Sequence, residues 1–355
     1  MEVFAIIMAG GIGSRFWPRS KQKAPKQLMK IFGDKTMIQD TVARLDGIVE
    51  NKNIFVITNE IQKPQVVEQL PQLPEENIID EPFGKNTAAC VGLSAAIVKK
   101  KNSKAVMITL PADHFIKDVK EFQENITVAI KFAEKSKGLV TIGINPNKPE
   151  TGYGYIQIDD KKSDENIHKV LTFAEKPNLG TAKRFMKAGD FLWNSGMFIW
   201  SVEAIWEEIK THMPDLYSGI NEIYDAYETD DFKKVLREVY GQIKSISIDY
   251  GVMEKSKNVY LTKGYFDWSD VGSWEAVYEL SEKDKDDNAK IGEVYSSDTF
   301  SSYIYSPNKF TAVIGGHNLI VIDTDEALLI CDRNNAQDVK NIVDYLKMNN
   351  HKELI

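Results

Sequence analysis

Residues 3–13, VFAIIMAGGIG, join a short apolar run to a turn that contains three glycines. An apolar run of this length, ended by glycine, is typical of a strand that is buried on both faces of a parallel sheet. Runs of the same kind follow as NIFVIT (53–58), NIIDEP (77–82), AVMITL (105–110) and LVTIGI (139–144). The first part of the chain therefore predicts a buried sheet.

Helical patterns separate these runs. Apolar residues recur at roughly helical spacing in TMIQDTVARLDGI (36–48), NTAACVGLSAAIVKKK (86–101) and VKEFQENITVAIKFAEK (119–135). Alternation of strand and helix predicts an α/β fold with a doubly wound, Rossmann-like mixed sheet. Such sheets bind ligands outside the carboxyl ends of their strands, so we expect the functional residues there.

The composition is that of an ordinary globular protein. Of 355 residues, 43% are hydrophobic and 27% are charged, and the formal net charge is −8. This acidity argues against nucleic acid or an anionic membrane as the main partner, because both require broad basic surfaces. Cys90 and Cys331 lie far apart without ligand spacing, which disfavours a disulfide framework or a zinc site. With no signal peptide or membrane span, the sequence predicts a cytoplasmic protein.

The pattern changes after residue 150. The runs GYGYIQIDD, KVLTFAEKP and FLWNSGMFIW predict additions that build a second wall for the site, and VEAIWEEIKTHMPDLY (202–217) predicts a helix. The charged run EKDKDDNAK (282–290) predicts a solvated linker. Short runs at close intervals then predict a small β-rich, β-helix-like domain that ends in a helix. We expect a catalytic domain at 1–284 and a β-rich assembly module at 285–355.

The glycine turn is followed by a basic segment. Residues 15–30 contain Arg15, Arg19, Lys21, Lys23, Lys26 and Lys30 but no acidic residue. Backbone amides at Gly10, Gly11 and Gly13 can approach phosphate oxygens closely, and Arg15 and Lys26 suit the charge of a triphosphate. The dinucleotide and Walker A motifs are both absent. The alternative interpretation is a tight turn with a solvated basic loop.

These residues also carry a family resemblance. GGIGSRFWPRS followed by PKQL resembles the signature of the sugar nucleotidyltransferases, specifically the mannose-1-phosphate guanylyltransferases. Further segments match the same family in the same order: EPFGKNTAA (81–89), LPADH (110–114), TGYGYI (151–156), FAEKP (173–177), WNSGMF (193–198), DYGVMEK (249–255) and FDWSDVGSW (266–274). The resemblance covers nearly the whole chain. Departures from the usual family pattern are small, such as Lys85 for Arg and Gly251 for Ala.

The resemblance implies a magnesium site. In the family, the residue that matches Asp113 holds Mg²⁺, and Asp270 is the second expected carboxylate, ahead of Asp267. Mg²⁺ takes one or two carboxylates and completes its shell with phosphates and water. The alternative is that Asp113 caps a helix beginning at His114 and that Asp270 caps the helix SWEAVYELS.

The other site residues are also assigned by resemblance. Lys26 and Lys176 would meet substrate phosphates, and Glu175 would meet sugar hydroxyls. Gly154 and Asn194 would line the sugar pocket, and Asn86 and Thr87 would lie at the nucleoside. From the residues alone, Lys176 is a solvated surface lysine before a turn. Asn194 equally fits a bulge in a core strand, and Asn86 and Thr87 equally fit the start of a helix.

The implied reaction joins GTP and α-D-mannose 1-phosphate to give GDP-mannose and pyrophosphate. A phosphate monoester is already dianionic at neutral pH and needs no general base, which agrees with the lack of a Ser/His/Asp or Cys/His set. Alternatives are a guanylyl- or thymidylyltransferase for another hexose 1-phosphate and a non-catalytic sugar-nucleotide sensor. A homodimer is expected by resemblance. Longer family members add an isomerase cupin domain for which this chain leaves no room, so we expect a single activity.

Overall fold

The computed structural model describes residues 2–164 and 166–355. The chain divides into two compact units. The first unit comprises the residues up to Gly10 together with Gln39–Ala112 and Ile116–Trp268. The second unit comprises Gly11–Ile38, Asp113–Phe115 and Ser269–Ile355. Each unit therefore contains segments that are far apart in the sequence.

The strands alternate with helices in the first half of the chain and crowd together near its C-terminus. In chain order they are β1 Val3–Met8, β2 Ile54–Asn59, β3 Ile78–Glu81, β4 Val106–Pro111, β5 Phe115–Ile116, β6 Leu139–Ile144, β7 Tyr155–Asp164, β8 Ile167–Ala174, β9 Phe191–Ser201, β10 Val259–Gly264, β11 Trp268–Ser269, β12 Ala289–Ser297, β13 Tyr303–Ile314, β14 Leu319–Asp323 and β15 Leu328–Asp332.

The helices show the same alternation. They are α1 Met37–Ala43, α2 Lys63–Gln69, α3 Asn86–Lys101, α4 Val119–Ser136, α5 Leu179–Ala188, α6 Val202–His212, α7 Pro214–Ala226, α8 Phe232–Gln242, α9 Trp274–Leu280 and α10 Val339–Met348. None of the described helices is both long and apolar enough to cross a membrane.

The first unit is built on a mixed sheet with the order β3-β2-β1-β4-β9-β6-β10-β8-β7. The five buried runs near the N-terminus form β1, β2, β3, β4 and β6, and the first four pair in parallel. Strand β9 lies antiparallel between β4 and β6. The predicted α/β class with a mixed sheet is confirmed. The later runs form β7, β8 and β9, which belong to this same sheet.

Helices α3, α6, α7 and α8 cover one face of this sheet. Phe4 and Ile6 belong to a core cluster with α3, α6, α7 and α8, and because strand side chains alternate, Ala5 and Ile7 face the other side. On α3, a Cβ at Gly92 would lie 2.8 Å from Ile220, so glycine permits close approach of α7. The single helix predicted at 202–217 is divided into α6 and α7, because Pro214 lacks the amide that would continue the first.

The second unit contains a sheet of order β12-β13-β14-β15 and helix α10. Two runs that were predicted as separate strands, SSYIYS and FTAVIGG, form the single strand β13. Residues 282–285 of the charged run are exposed, as expected for a solvated segment. The side chain of Asp284 accepts hydrogen bonds from the amides of Asp286 and Asn288, and Asn288 is buried. These bonds fold the charged run into an ordered turn.

Candidate active site

A cavity of about 250 Å³ lies within the second unit. It collects residues of the glycine turn and of two segments that follow it much later in the chain. The lining residues are Gly13, Ser14, Arg15, Phe16, Lys26, Asp113, His114, Asp270, Val271 and Gly272. The structure therefore brings together four charged residues that the sequence suggested for phosphate and metal binding: Arg15, Lys26, Asp113 and Asp270.

Lys26 is the central cation of this cavity. It is only 4% exposed. Its Nζ donates to Oδ2 of Asp113 at 2.8 Å and to the backbone oxygen of Asp270 at 2.5 Å. Burial favours the neutral form of Asp113, but the charges of Lys26 and His114 outweigh it and hold the pKa of Asp113 below its ordinary value. The Asp113 carboxylate is thus ionised and available to a cation at neutral pH.

The position of Lys26 explains why the turn requires glycine. Gly13 has a φ of +65°, and a Cβ there would lie 2.8 Å from Cβ and 2.9 Å from the backbone nitrogen of Lys26. The carbonyl of Gly13 also accepts from the Ser20 hydroxyl. Absence of a side chain therefore allows the turn to pack directly on the backbone that carries the cation.

The basic segment does not act as one phosphate-binding patch. Arg15 and Lys26 line the cavity. Arg19 donates to the carbonyl of Lys30 and lies over the ring of Tyr305, 4.2 Å from its centroid. Lys21 forms an ion pair with Glu326. Two of the basic side chains thus bind the C-terminal part of the same unit.

Asp113 and Asp270 suit a hard divalent ion. Neither is a helix cap: Asp113 precedes strand β5, α4 is capped by Asp118, and the cap position of α9 is Ser273. Among the described residues, no group of three or more His, Cys, Asp or Glu side chains is placed to hold a metal. Two carboxylates beside a phosphate-sized cavity fit an ion whose remaining ligands come from substrate and water.

A second group of predicted residues lies within the first unit. A Cβ on Gly154 would lie 2.4 Å from Oε2 of Glu175 and 3.2 Å from Cβ of Asn194. The backbone amide of Asn194 donates to the backbone carbonyl of Gly154 at 2.8 Å. Oε2 of Glu175 is buried and has no hydrogen-bond partner among the described residues. A buried acceptor without a partner is costly, and a ligand hydroxyl would satisfy it.

Lys176 borders this group. Its backbone has a φ of +48°, a conformation that non-glycine residues rarely adopt. Partial burial disfavours its charge, but the hydrogen bond and the charge of Glu175, with Nζ and Oε1 2.6 Å apart, raise the pKa of Lys176. The side chain of Lys176 is about half exposed, so an anion in solution can reach it.

Asp249 was not assigned from the sequence, although it opens the quoted segment DYGVMEK. Its Oδ1 accepts from the side-chain amide of Asn194 at 2.8 Å. Burial, assisted by the charge of Glu175, raises the pKa of Asp249 to about 6. Two acidic residues, Glu175 and Asp249, therefore lie close together in this group, an arrangement that burial alone would disfavour.

Asn86 and Thr87 begin α3 as expected, but both have protein partners. Oδ1 of Asn86 accepts from the amide of Thr87, and the Thr87 hydroxyl accepts from the amide of Ile248, both at 2.8 Å. The amide of Ala88 donates to the carbonyl of Ile246. The cap position is Lys85, which makes no side-chain cap. The first amides of α3 are thus engaged within the first unit.

The glycine turn contributes to both units. In the first, a Cβ on Gly10 would lie 3.4 Å from Oε2 of Glu81. Glu81 is buried, its Oε1 accepts from the Tyr240 hydroxyl at 2.9 Å, and burial raises its pKa to about 7. In the second, the carbonyl of Gly11 accepts from the Gln27 side chain. Sequence reasoning missed Glu81, because buried acids give no periodic signal.

Comparisons with known proteins identify the family of this chain. The family profile described as Nucleotidyl transferase matches residues 4–287, and the profile of a MannoseP isomerase/GMP-like beta-helix domain matches residues 292–346. A mannose-1-phosphate guanylyltransferase of Escherichia coli is 40% identical over 356 residues, which cover 98% of this chain and 76% of that protein. The same enzyme of Salmonella montevideo is 40% identical over 358 residues, 99% of this chain and 75% of that protein.

A solved structure extends the comparison. The Thermus thermophilus protein described as mannose-1-phosphate geranyltransferase superposes with a TM-score of 0.89 at 29% identity, covering 98% of this chain and 100% of that one. Enzymes of the nucleotidyl transferase family generally use a divalent metal. The two acidic residues in the cavity of the second unit are the candidates to hold such a metal. The chain belongs to the nucleotidyl transferase family and, within it, to the mannose-1-phosphate guanylyltransferases.

Proposed function

We propose that the protein transfers GMP from GTP to α-D-mannose 1-phosphate and releases pyrophosphate. The observation that carries this proposal is the buried Lys26, which bridges Asp113 and Asp270 in a cavity that Arg15 also lines. Two cations suit the leaving pyrophosphate, and ionised Asp113 suits a metal. The names of the curated relatives support the choice of guanine nucleotide and mannose 1-phosphate.

The reaction requires the two substrates to be held close together and in line, and it does not require a general base. The second pKa of a phosphate monoester is about 6, so the sugar phosphate is a dianion at neutral pH and attacks the α-phosphorus directly. The protein must hold two anions in line and offset the charge that develops on the leaving group. Arg15 and Lys26 supply positive charge on the nucleotide side, and Lys176 supplies it for the sugar phosphate.

The pocket in the first unit suits the sugar. Gly154 lets Glu175 and Asn194 pack against its backbone, the partnerless Oε2 of Glu175 can accept from a hydroxyl, and Asn194 presents an oriented amide. Gly10, Gly11 and Gly13 would approach the nucleotide through the backbone, and Asn86 and Thr87 would border the nucleoside. Asp249 would orient Asn194 toward the sugar.

We propose Mg²⁺ as the metal, held by Asp113 and Asp270. When bound, it would neutralise charge on the triphosphate oxygens. Asp113 is suited to this role because Lys26 keeps it ionised, and the short set of protein ligands leaves positions for phosphate and water.

The direct test measures pyrophosphate release with mannose 1-phosphate and Mg²⁺, comparing GTP, ATP, UTP and dTTP, with Asp113→Ala as control. We expect GTP to give the highest rate and the variant to be inactive. A preference for dTTP or for another hexose 1-phosphate would replace the proposed substrates. Binding of GDP-mannose without any pyrophosphate release would favour a sensor.

We further propose that residues 1–284 form the catalytic domain and that residues 285–355 mediate a homodimer. Exposed apolar side chains on β13 and β15 support the dimer, since Phe310, Ile314 and Ile330 are each at least 60% exposed. Light scattering should give twice the chain mass, and Ile330→Ser should lower it. A monomeric mass at all concentrations contradicts the dimer. We place the enzyme in the cytoplasm, where its two free thiols stay reduced, which cell fractionation can test.

A further inference from the structure

The two sides of the phosphate cavity are joined by a pair of tryptophans. Nε1 of Trp274 donates to the carbonyl of Trp17 at 3.1 Å, and Nε1 of Trp17 donates to the carbonyl of Leu354 at 3.0 Å. Trp17 lies two residues after Arg15, and Trp274 lies four residues after Asp270. Both indoles are buried. A chain of two hydrogen bonds therefore runs from the 270–274 segment through the glycine-turn segment to the C-terminus.

Aromatic packing reinforces these bonds. The rings of Phe16 and Trp274 have centroids 5.0 Å apart, and those of Trp274 and Tyr303 are stacked at 5.9 Å. All belong to one buried cluster of the second unit, which also contains Val343 and Leu346 of α10. The C-terminal strands and helix thus provide the surface on which both cavity segments pack.

Val271 shows what this packing holds in place. It lines the cavity next to Asp270, is fully buried, and has a φ of +46°. A β-branched residue in the left-handed region is strained, and such strain persists only where surrounding contacts enforce it. Val271 belongs to the same buried cluster as Trp17 and Trp274. The backbone turn that presents Asp270 to the cavity is therefore enforced from its buried side.

We propose that Trp17 and Trp274 are positioning residues, through which residues 289–355 hold Arg15 and Asp270 in their catalytic placement. The C-terminal domain then helps to fix the geometry of the nucleotide and metal site, in addition to any role in assembly. This inference rests on the proposed function, because it assumes that the cavity binds the triphosphate and its metal. It assumes nothing about the proposed sugar-binding residues, which lie in the first unit.

The test compares Trp274→Phe and Trp17→Phe with the unaltered enzyme. Phenylalanine keeps most of the aromatic packing but removes the N–H donor. Trp274→Phe then leaves the buried carbonyl of Trp17 without its partner, and Trp17→Phe leaves the partly buried carbonyl of Leu354 without its partner. We expect KM for GTP to rise about tenfold in each variant, while KM for mannose 1-phosphate changes by less than about twofold. Trp206→Phe is the matched control, because Trp206 is also buried but lies on α6 of the first unit. It should leave both constants unchanged.

Comparing the change in KM for GTP with the change in KM for mannose 1-phosphate distinguishes a positioning role from a simple loss of folded protein. A variant that merely unfolds in part lowers kcat and leaves both KM values as they were, and this result would overturn the proposal. So would a KM for GTP that is unchanged in both variants. A chain that ends at His351 lacks the carbonyl of Leu354 and should reproduce the Trp17→Phe result.

Failure of the proposed function gives a different result. If the unaltered enzyme releases no pyrophosphate from any nucleotide, the proposed reaction is wrong whatever the variants do. Calorimetric titration with Mg²⁺ and pyrophosphate then still tests the positioning role, since both variants should bind pyrophosphate about tenfold more weakly than the unaltered chain. Equal binding would overturn it.

Discussion

The side-chain amide of Asn194 donates a 2.8 Å hydrogen bond to the carboxylate of Asp249. At its other end, Oδ1 of Asn194 accepts from the Thr141 hydroxyl and from the amide of Gly196. The orientation of this amide is therefore fixed by the protein before any ligand arrives. A pre-oriented amide can distinguish the hydroxyls of a sugar ring at little entropic cost.

The first prediction concerns Asp249. Asp249→Ala removes the acceptor that orients Asn194, so we expect KM for the sugar phosphate to rise about tenfold, with KM for GTP unchanged. Asp249→Asn keeps an acceptor oxygen and should raise KM for the sugar phosphate by less than Asp249→Ala does. Steady-state kinetics with each substrate varied in turn measures both effects. Equal losses in the two variants would show that the charge matters rather than the hydrogen bond.

The second prediction concerns Lys26. Lys26→Gln removes the buried ammonium from the cavity, and we expect kcat to fall by about 10²- to 10³-fold, the usual effect of losing one group that stabilises developing charge. Lys23→Gln is the control, because Lys23 belongs to the same basic segment but is exposed and does not line the cavity. Similar losses in the two variants would assign the effect to general electrostatics.

The third prediction separates backbone strain from collision. Gly13 and Gly33 both have positive φ, but a Cβ on Gly33 meets nothing within 4 Å, whereas one on Gly13 meets Lys26. We expect Gly33→Ala to lower the free energy of unfolding by only about 1 kcal/mol. Gly13→Ala should lower it further and also abolish pyrophosphate release. Urea unfolding and the pyrophosphate-release assay measure these effects. Similar losses of stability in Gly13→Ala and Gly33→Ala would show that the collision with Lys26 does not matter.

The fourth prediction concerns pH. Burial raises the pKa of Glu81 from 4.5 to about 7, so the folded protein binds this proton more tightly than the unfolded chain does. Its contribution to stability is complete below pH 4.5 and is lost as the pH rises through about 7. Over this range the free energy of unfolding should fall more steeply than in Glu81→Gln, by up to about 1.4 kcal/mol per pH unit. Parallel slopes in urea titrations at several pH values would contradict the shifted pKa.

Much of the fold was predictable from local pattern. The buried runs that became β1 to β4 and β6 carry a continuous apolar signal that depends on no distant residue. The placement of β9 between β4 and β6 was not predictable, because an antiparallel strand in the middle of a sheet leaves no mark in its own sequence. Pro214 explains the break between α6 and α7, and it was visible in the sequence.

The residues of the candidate site also include some that the sequence predicted and some that it did not. The basic segment itself indicated Lys26, the family resemblance supplied Asp113 and Asp270, and the structure places all three at one cavity. The sequence could not show that Arg19 and Lys21 bind the C-terminal part of the unit, since charge alone does not reveal a partner. Asp249 and Glu81 were missed because their importance comes from burial, which depends on the packing of the complete chain.

The contacts of Lys26 have a consequence for the order in which the molecule folds. Its bond to Asp113 spans 87 residues, and its bond to Asp270 spans 244. Closing such long loops costs chain entropy before any contact repays it, so long-range contacts of this kind tend to form slowly. During synthesis, the cavity cannot assemble until residue 270 has left the ribosome, and its aromatic support requires the last residues of the chain. The nascent protein therefore acquires this cavity only after its C-terminal strands and α10 have been made.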